Sequence, residues 1–344
     1  MLKPFSSGPT RLVSRRVALG VIGAAALARS GRPASAQDTE PIRIVIAFPP
    51  GGTSTASLQP LRAPLGTSLG SPIEFDYRPG LGGNVAALHV IQAKPDGRTL
   101  LFGHAGPLAI NHHILVQTVF DAQRDLTPLA MVVQYPIVIC AAARLNVSTL
   151  KDLIDLARRD QLIAGSSGNG SIQHLALETF SRTTGAKILH IPFAGGGPLQ
   201  EAFARGALSV LLETGSNIVK HVQAGTLRPL AVMARERLSI LPAVPTLAEA
   251  GIDGLEVSAW FGLLAPARAP DDMSARITAA TQAALQQPDV RAALAAIGGL
   301  VAPMGADAFK RFIADENERW GRVIAASGLV PIGTNPIGRI GAPQ

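Results

Sequence analysis

Short apolar runs rich in β-branched residues alternate along the chain with segments in which apolar residues recur every three or four positions. Ile42 to Phe48, Thr99 to Phe102, Pro136 to Ala141, Ile188 to Ile191, Leu208 to Leu212, Leu230 to Met233 and Val257 to Leu264 are short, continuous and bounded by Gly or Pro. That is the pattern of buried strands. Leu150, Leu153, Ile154 and Ala157 fall at i, i+3, i+4 and i+7 behind a Thr149 and Asp152 capping pair, which predicts an amphipathic helix. Ile172, Leu175, Ala176 and Phe180 mark a second helix, and Phe309, Phe312, Ile313, Trp320, Val323 and Ile324 hold one face of a long third. The alternation predicts an α/β fold with largely parallel sheets.

One segment conflicts with its neighbours. Residues 53 to 70 follow the first strand and stand where its crossover helix belongs, yet they contain Pro60 and Pro64. An interior proline costs a helix about 3 kcal/mol, so a kinked or broken helix is expected there. Residues 331 to 344 hold three Pro and three Gly, the composition of a flexible tail. No sequence repeat of 20 to 50 residues is visible.

Composition changes the picture mainly at the N-terminus. The 344 residues are 47% hydrophobic and 16% charged, enough to bury a large core, and the length suggests two domains. The net charge of +7 suggests a nucleic-acid partner until its position is considered. Lys3, Arg11, Arg15, Arg16, Arg29 and Arg32 lie in residues 1–36, which contain no acid; the rest of the chain carries 25 basic against 24 acidic residues. No basic footprint for nucleic acid survives. The segment has instead the layout of a signal peptide: a basic start, an apolar stretch from Val17 to Ala28, and Ala34-Ser35-Ala36 before a cleavage point after Ala36. Its 12 apolar residues fall short of the roughly 20 that span a bilayer. Ser14-Arg15-Arg16-Val17-Ala18-Leu19 also resembles a twin-arginine signal, leaving both export routes open. Cys140 is the only cysteine, so no internal disulfide or cysteine zinc site can form, and its place in Ile137 to Ala141 is that of a small buried hydrophobe.

Two glycine-rich turns stand at strand ends, where α/β proteins bind ligands. The first runs from Phe48 through Pro49, Pro50, Gly51, Gly52, Thr53 and Ser54 to Thr55; the second runs from Ala164 through Ser166, Gly168 and Gly170 to Ser171. Glycines let a ligand approach the backbone, and free N–H groups at a helix start favour an anion. Neither turn is a P-loop, a dinucleotide fingerprint or a nucleophile elbow: Gly170 is followed by Ser171 and Ile172, Gln173 stands where a third Gly would fall, and Asn169 replaces the last Gly of G-x-S-x-G. Seven histidines show no metal-ligand spacing, so neither metal nor cofactor is expected. His104 at a strand end is a candidate pocket wall, His174 a candidate for ligand contact or for capping, and Glu213 a candidate acceptor for an amino or hydroxyl group. Paired carboxylates with acid and base spacing are absent.

Longer strings carry a resemblance. Pro41-Ile42-Arg43-Ile44-Val45-Ile46-Ala47-Phe48-Pro49-Pro50-Gly51-Gly52, Arg78-Pro79-Gly80-Leu81-Gly82-Gly83-Asn84 and Pro95-Asp96-Gly97-Arg98-Thr99-Leu100-Leu101 resemble the Bug family of extracytoplasmic solute-binding proteins of tripartite tricarboxylate transporters. The likeness continues through Gly168-Asn169-Gly170-Ser171 with His174, His190-Ile191-Pro192-Phe193, Val244-Pro245-Thr246 and Trp260-Phe261-Gly262, covering nearly all of residues 41–330. The resemblance implies a two-lobed periplasmic-binding-protein-like fold of type II with a ligand cleft between the lobes. Lobe one would comprise residues 41–138 and 261–330 and lobe two residues 139–260, closing by hinge motion. It further implies a ligand carboxylate held by the two turns through backbone groups and water. Gly51, Gly52, Thr53, Ser54 and Thr55 would form one seat, Ser166, Gly170, Ser171 and His174 the other, with His104, Phe193 and Glu213 reading the rest of the molecule.

The implied protein is no enzyme: it is a monomeric periplasmic receptor that delivers a small organic acid, amino acid or related amide to the transporter's membrane subunits. A receptor feeding a membrane sensor is an alternative, as is an exported hydrolase using Ser166 or Ser171 with His174. An aromatic content of 4% leaves few platforms for a sugar. The chain departs from the family pattern at Thr55, where Asp is usual, at Leu58-Gln59 in place of Ala-Arg, at Tyr77, where Asn is usual, and at Gly195, in a lysine-like position.

Overall fold

The computed structural model describes residues 40–115, 119–301 and 303–329; the expected signal peptide and the expected tail of residues 331–344 lie outside the described residues. The chain starts with β1 (Ile42–Ile46), α1 (Thr53–Leu69), β2 (Ile73–Tyr77), α2 (Asn84–Ile91) and β3 (Thr99–His104). Short helical turns lead to a 17-residue strand, β4 (Leu126–Ala142). Next come α3 (Leu150–Arg159), β5 (Leu162–Ser166), α4 (Ile172–Thr184), β6 (Ile188–Pro192), α5 (Gly196–Ala204), β7 (Val210–Thr214), α6 (Gly215–Gln223) and β8 (Leu227–Val232). The chain returns through β9 (Ser258–Pro266) and closes with α7 (Asp271–Gln286), α8 (Pro288–Ala296) and α9 (Ala306–Ser327).

The strands lie in the order β2-β1-β3-β9-β4-β7-β5-β6, with β8 also on β4. On one side β2-β1-β3 is a parallel βαβαβ unit followed by antiparallel β9; on the other, β6-β5-β7 is a parallel βαβαβ unit followed by antiparallel β4. The two halves therefore repeat one topology around the central β9/β4 pair, although their sequences show no repeat. The expectation of largely parallel sheets is corrected. The crossing strands pair antiparallel with β3, β7, β8 and each other, so only the two outer units are parallel.

Both faces of the sheet are covered, which explains the continuous apolar runs. Ile42, Ile44 and Ile46 of β1 pack with Leu58, Leu61 and Leu65 of α1, while Val45 points into the opposite layer with Ala86 and Val90 of α2. The Thr149 and Asp152 capping box forms as its spacing predicts. On α9, Glu316 accepts hydrogen bonds from the indoles of Trp260 (3.0 Å) and Trp320 (2.9 Å), fixing that helix to β9. Cys140 is buried among apolar residues of the sheet.

Of the kinked or broken helix expected at Pro60 and Pro64, the break does not occur, for α1 is one helix of 17 residues across both prolines. Leu58, Leu61, Leu65 and Leu69 form one buried stripe. At about 1.5–3 kcal/mol for each buried leucine, that stripe offsets roughly 3 kcal/mol for each proline.

Candidate functional site

In an open α/β sheet the crevice forms outside the carboxyl ends of the strands where strand order reverses. Here that reversal occurs twice, between β1 and β3 and between β5 and β7. The two crevices face each other. His104 at the end of β3 pairs with Phe261, which pairs with Val133 of β4, whereas Thr214 at the end of β7 pairs with Ile137 of the same strand. Because β3 runs with β4 and β7 runs against it, both carboxyl edges point into the stretch from Val133 to Ile137, a rise of about 13 Å.

The β1 edge carries the first glycine turn. Gly52 caps α1 with extended backbone at φ −86°, and its carbonyl accepts from the Ala56 N–H. The N–H groups of the first helical turn have no intrahelical partner, an arrangement that favours negative charge. Ser54 is 2% exposed and its Oγ has no hydrogen-bond partner among the described residues. Thr55 Oγ1 donates to the Tyr77 hydroxyl at 3.3 Å, and Ser57 Oγ meets Tyr135 Oη at 2.6 Å, tying α1 to β2 and β4.

His104 sits at this edge with both nitrogens turned to backbone. Its Nδ1 accepts the Gly106 N–H at 3.2 Å, which places the ring proton on Nε2, and Nε2 is enclosed against Gly83 without a partner. Burial lowers its pKa from 6.5 to about 4, so the ring is neutral. The Phe48 ring lies 4.8 Å from it. What His104 offers the crevice is therefore a ring surface.

The second turn is braced from below. Ser166 is fully buried, with its Oγ 2.6 Å from His190 Nε2 and within hydrogen-bond distance of the Gly168 carbonyl and N–H. His174 Nδ1 accepts the Gly170 N–H at 3.1 Å, and its ring stacks on His190 at 3.7 Å. Burial, then the neighbouring His174, lowers the His190 pKa to about 4. Ser171 Oγ caps α4 by accepting the His174 N–H. Gly170 adopts φ +74°, and a Cβ there would lie 2.2 Å from Ile114 Cδ1, so this position needs glycine for conformation and for space.

Glu213, next to last in β7, is 1% exposed and accepts the Thr214 N–H at 2.7 Å and the Gln173 carboxamide at 3.2 Å on each oxygen. Burial raises its pKa. Gln173 Oε1 in turn accepts from the Ser167 hydroxyl at 3.1 Å. Phe193 packs its ring over Gly165 and donates its N–H to the Ser166 carbonyl.

Thus the candidate residues gather at two facing edges, but Ser166, His174 and Glu213 point their polar atoms into the protein. The hydrolase pairing of Ser166 or Ser171 with His174 does not form: Ser166 contacts His190, and Ser171 meets the His174 backbone. Sequence reasoning missed Ser167 and Gln173 and gave His190 no role at the site; no local spacing links Gln173 with Glu213, 40 positions away. A cavity of about 350 Å³ opens beside Asn84, Pro107, Asn111, His112, Phe120 and Asn317. Its lining residues all lie outside the β5–β7 edge, so it is not the space between the two turns.

Comparison with known proteins gives one family. The model for the tripartite tricarboxylate transporter family receptor matches residues 60–329. BugT of Bordetella pertussis is 32% identical over 316 residues, covering 90% of this chain and 97% of BugT. The structure of R. palustris Rpa4515 with adipate superposes with a TM-score of 0.78 at 29% identity, covering 86% of this chain and all of that one. MatC from Rhodopseudomonas palustris with bound malate gives 0.70 at 29% identity over 83% of this chain and 99% of its own. The facing glycine turns, the family match and these similarities agree: the chain belongs to the receptor family of tripartite tricarboxylate transporters, a family of periplasmic solute-binding proteins.

Proposed function

We propose that this protein captures a small carboxylate between its two glycine-rich turns and presents it to the membrane subunits of a tripartite transporter. The observation that carries this reading is the facing of two helix N-termini across Val133 to Ile137. Backbone N–H groups at such ends hold an anion without a countercharge. Gly51 to Thr55 form one seat, and His104 and Phe193 supply ring surfaces. At the other seat the donors are the Ile172 and Gln173 N–H groups in the first turn of α4, because Gly170 and Ser171, expected to donate there, give their N–H groups to His174 Nδ1 and the Gly168 carbonyl and so shape the turn instead. Ser166, His174 and Glu213 shape the second seat from beneath. The adipate and malate in the similar structures support a carboxylate ligand.

In this reading residues 41–138 with 261–330 form one lobe and residues 139–260 the other, hinged where β4 passes from β9 to β7 near Ile137. The chain is exported, cleaved after Ala36 and works as a monomer. A thermal-shift screen of the purified protein against organic acids, amino acids, amides and sugars tests the function. A carboxylate at 100 times its dissociation constant stabilises the fold by about 2.7 kcal/mol. A sugar hit with no carboxylate hit would contradict the reading.

A further inference from the structure

We infer that the ligand carries, besides its carboxylate, a hydrogen-bond donor (a hydroxyl, amide or ammonium group) that meets Ser167 Oγ, because the chain Ser167–Gln173–Glu213 leaves that oxygen an acceptor. The inference rests on the reading of the protein as a carboxylate receptor and specifies which carboxylates it selects.

The argument starts at the buried end. Glu213 is almost wholly enclosed, and the Thr214 N–H and the Gln173 carboxamide both donate to it. Among the described residues no Lys or Arg is paired with it. The Asn217 and Thr214 side chains hydrogen-bond to it as well, so four groups converge on its two oxygens as donors and the carboxyl faces Gln173 as an acceptor. Gln173 must therefore turn Nε2 toward it, since the opposite orientation would set an amide oxygen 3.2 Å from both carboxylate oxygens. That orientation points Oε1 at Ser167, whose hydroxyl proton is committed to it at 3.1 Å. A hydroxyl has one proton. What remains of Ser167 Oγ is lone pairs, on a half-buried residue directly after β5, at the crevice between β5 and β7.

A second ionised carboxylate placed there would meet only lone pairs. A donor would complete the chain. The order of protons is thus a selectivity device: Glu213 sets Gln173, Gln173 sets Ser167, and Ser167 distinguishes donor from acceptor on the ligand.

Calorimetric titration of the purified protein with matched sets (succinate, malate and aspartate; glutarate, 2-hydroxyglutarate and glutamate) measures the preference. At the chain length that binds best, a donor-bearing acid should bind at least tenfold more tightly than its unsubstituted partner. Ser167→Ala should cut that ratio at least fivefold without altering charge. Glu213→Gln should do the same, since its amide can donate to Gln173 Oε1 and reverse the chain. Equal or tighter binding of succinate or glutarate by the wild type overturns the inference while leaving the carboxylate receptor intact. A ratio unmoved by Ser167→Ala also overturns it, even if Glu213→Gln has an effect, because charge alone would then select the ligand. If no acid in either set binds, the donor-bearing ones included, the inference is overturned, while the receptor reading stands or falls with the wider screen of carboxylates.

Discussion

The Thr55 hydroxyl donates to the Tyr77 phenol at 3.3 Å, joining the first turn of α1 to the end of β2. These are two of the positions at which the chain departs from the family pattern, Thr55 for Asp and Tyr77 for Asn. The two positions form one contact in space: a neutral hydroxyl pair beside the N-terminus of α1. A double-mutant cycle of Thr55→Val and Tyr77→Phe should give a coupling of about 0.5–1 kcal/mol in urea unfolding, the range of a half-buried neutral hydrogen bond. Strict additivity would show that the contact contributes nothing.

His174 holds the second turn through Gly170. His174→Phe keeps a ring to stack on His190 but leaves the buried Gly170 N–H without its acceptor, at a cost of about 1–3 kcal/mol. The melting temperature should fall accordingly, and affinity for the carboxylate should fall with it as the turn loosens. Unchanged stability would mean that the turn is held by other contacts.

Acid should destabilise the protein through its neutral histidines. His104 and His190 titrate near 4 in the folded chain against an ordinary 6.5. Below pH 6.5 the unfolded chain therefore takes up protons that the folded chain refuses, and stability declines until about pH 4. At about 1.4 kcal/mol per pH unit, His104 alone accounts for up to roughly 3 kcal/mol, and the partly exposed His190 for less. Glu213 acts in the opposite sense, since its raised pKa makes the folded chain bind a proton first as the pH falls toward 4.5. Melting temperatures measured from pH 8 to pH 4 should slope downward below 6.5, and His104→Gln should flatten the slope. A flat profile in the wild type would contradict these protonation states.

The parts of this molecule that were legible in the sequence are those governed by local rules. Gly51, Gly168 and Gly170 stand at strand ends with positive φ, which tight turns ahead of a helix start require of glycine. The Thr149 and Asp152 capping box is set by a spacing of three. Long-range pairing was not legible. β2 (Ile73-Glu74-Phe75-Asp76-Tyr77) is an edge strand with one fully buried residue, so it lacks the apolar run that marks the inner strands. The first half of β4 carries Pro128, with irregular pairing to β9 around it, and reads as a loop. At the site the sequence exposed the turns but not their supports. Ser166, His174 and Glu213 are polar residues next to a crevice, and only the fold shows that His190, Gly170 and Gln173 claim their polar atoms.

Gly52 offers the most direct test of the two-turn seat. A Cβ at Gly52 would have nothing within 4 Å, and its backbone at φ −86° lies near the range of proline. Gly52→Ala keeps the N–H and Gly52→Pro deletes it, at an N-cap whose N–H makes no backbone hydrogen bond among the described residues. Ser171→Pro is a poorer probe, since Ser171 also donates its N–H to the Gly168 carbonyl and caps α4. The decisive measurement is the dissociation constant of the best carboxylate for the two Gly52 variants, alongside their melting temperatures. Gly52→Ala should bind within about threefold of the wild type, and Gly52→Pro, folded with a similar melting temperature, at least tenfold more weakly, a loss of about 1.4 kcal/mol. A folded Gly52→Pro protein that retains wild-type affinity would contradict the backbone seat at the first turn.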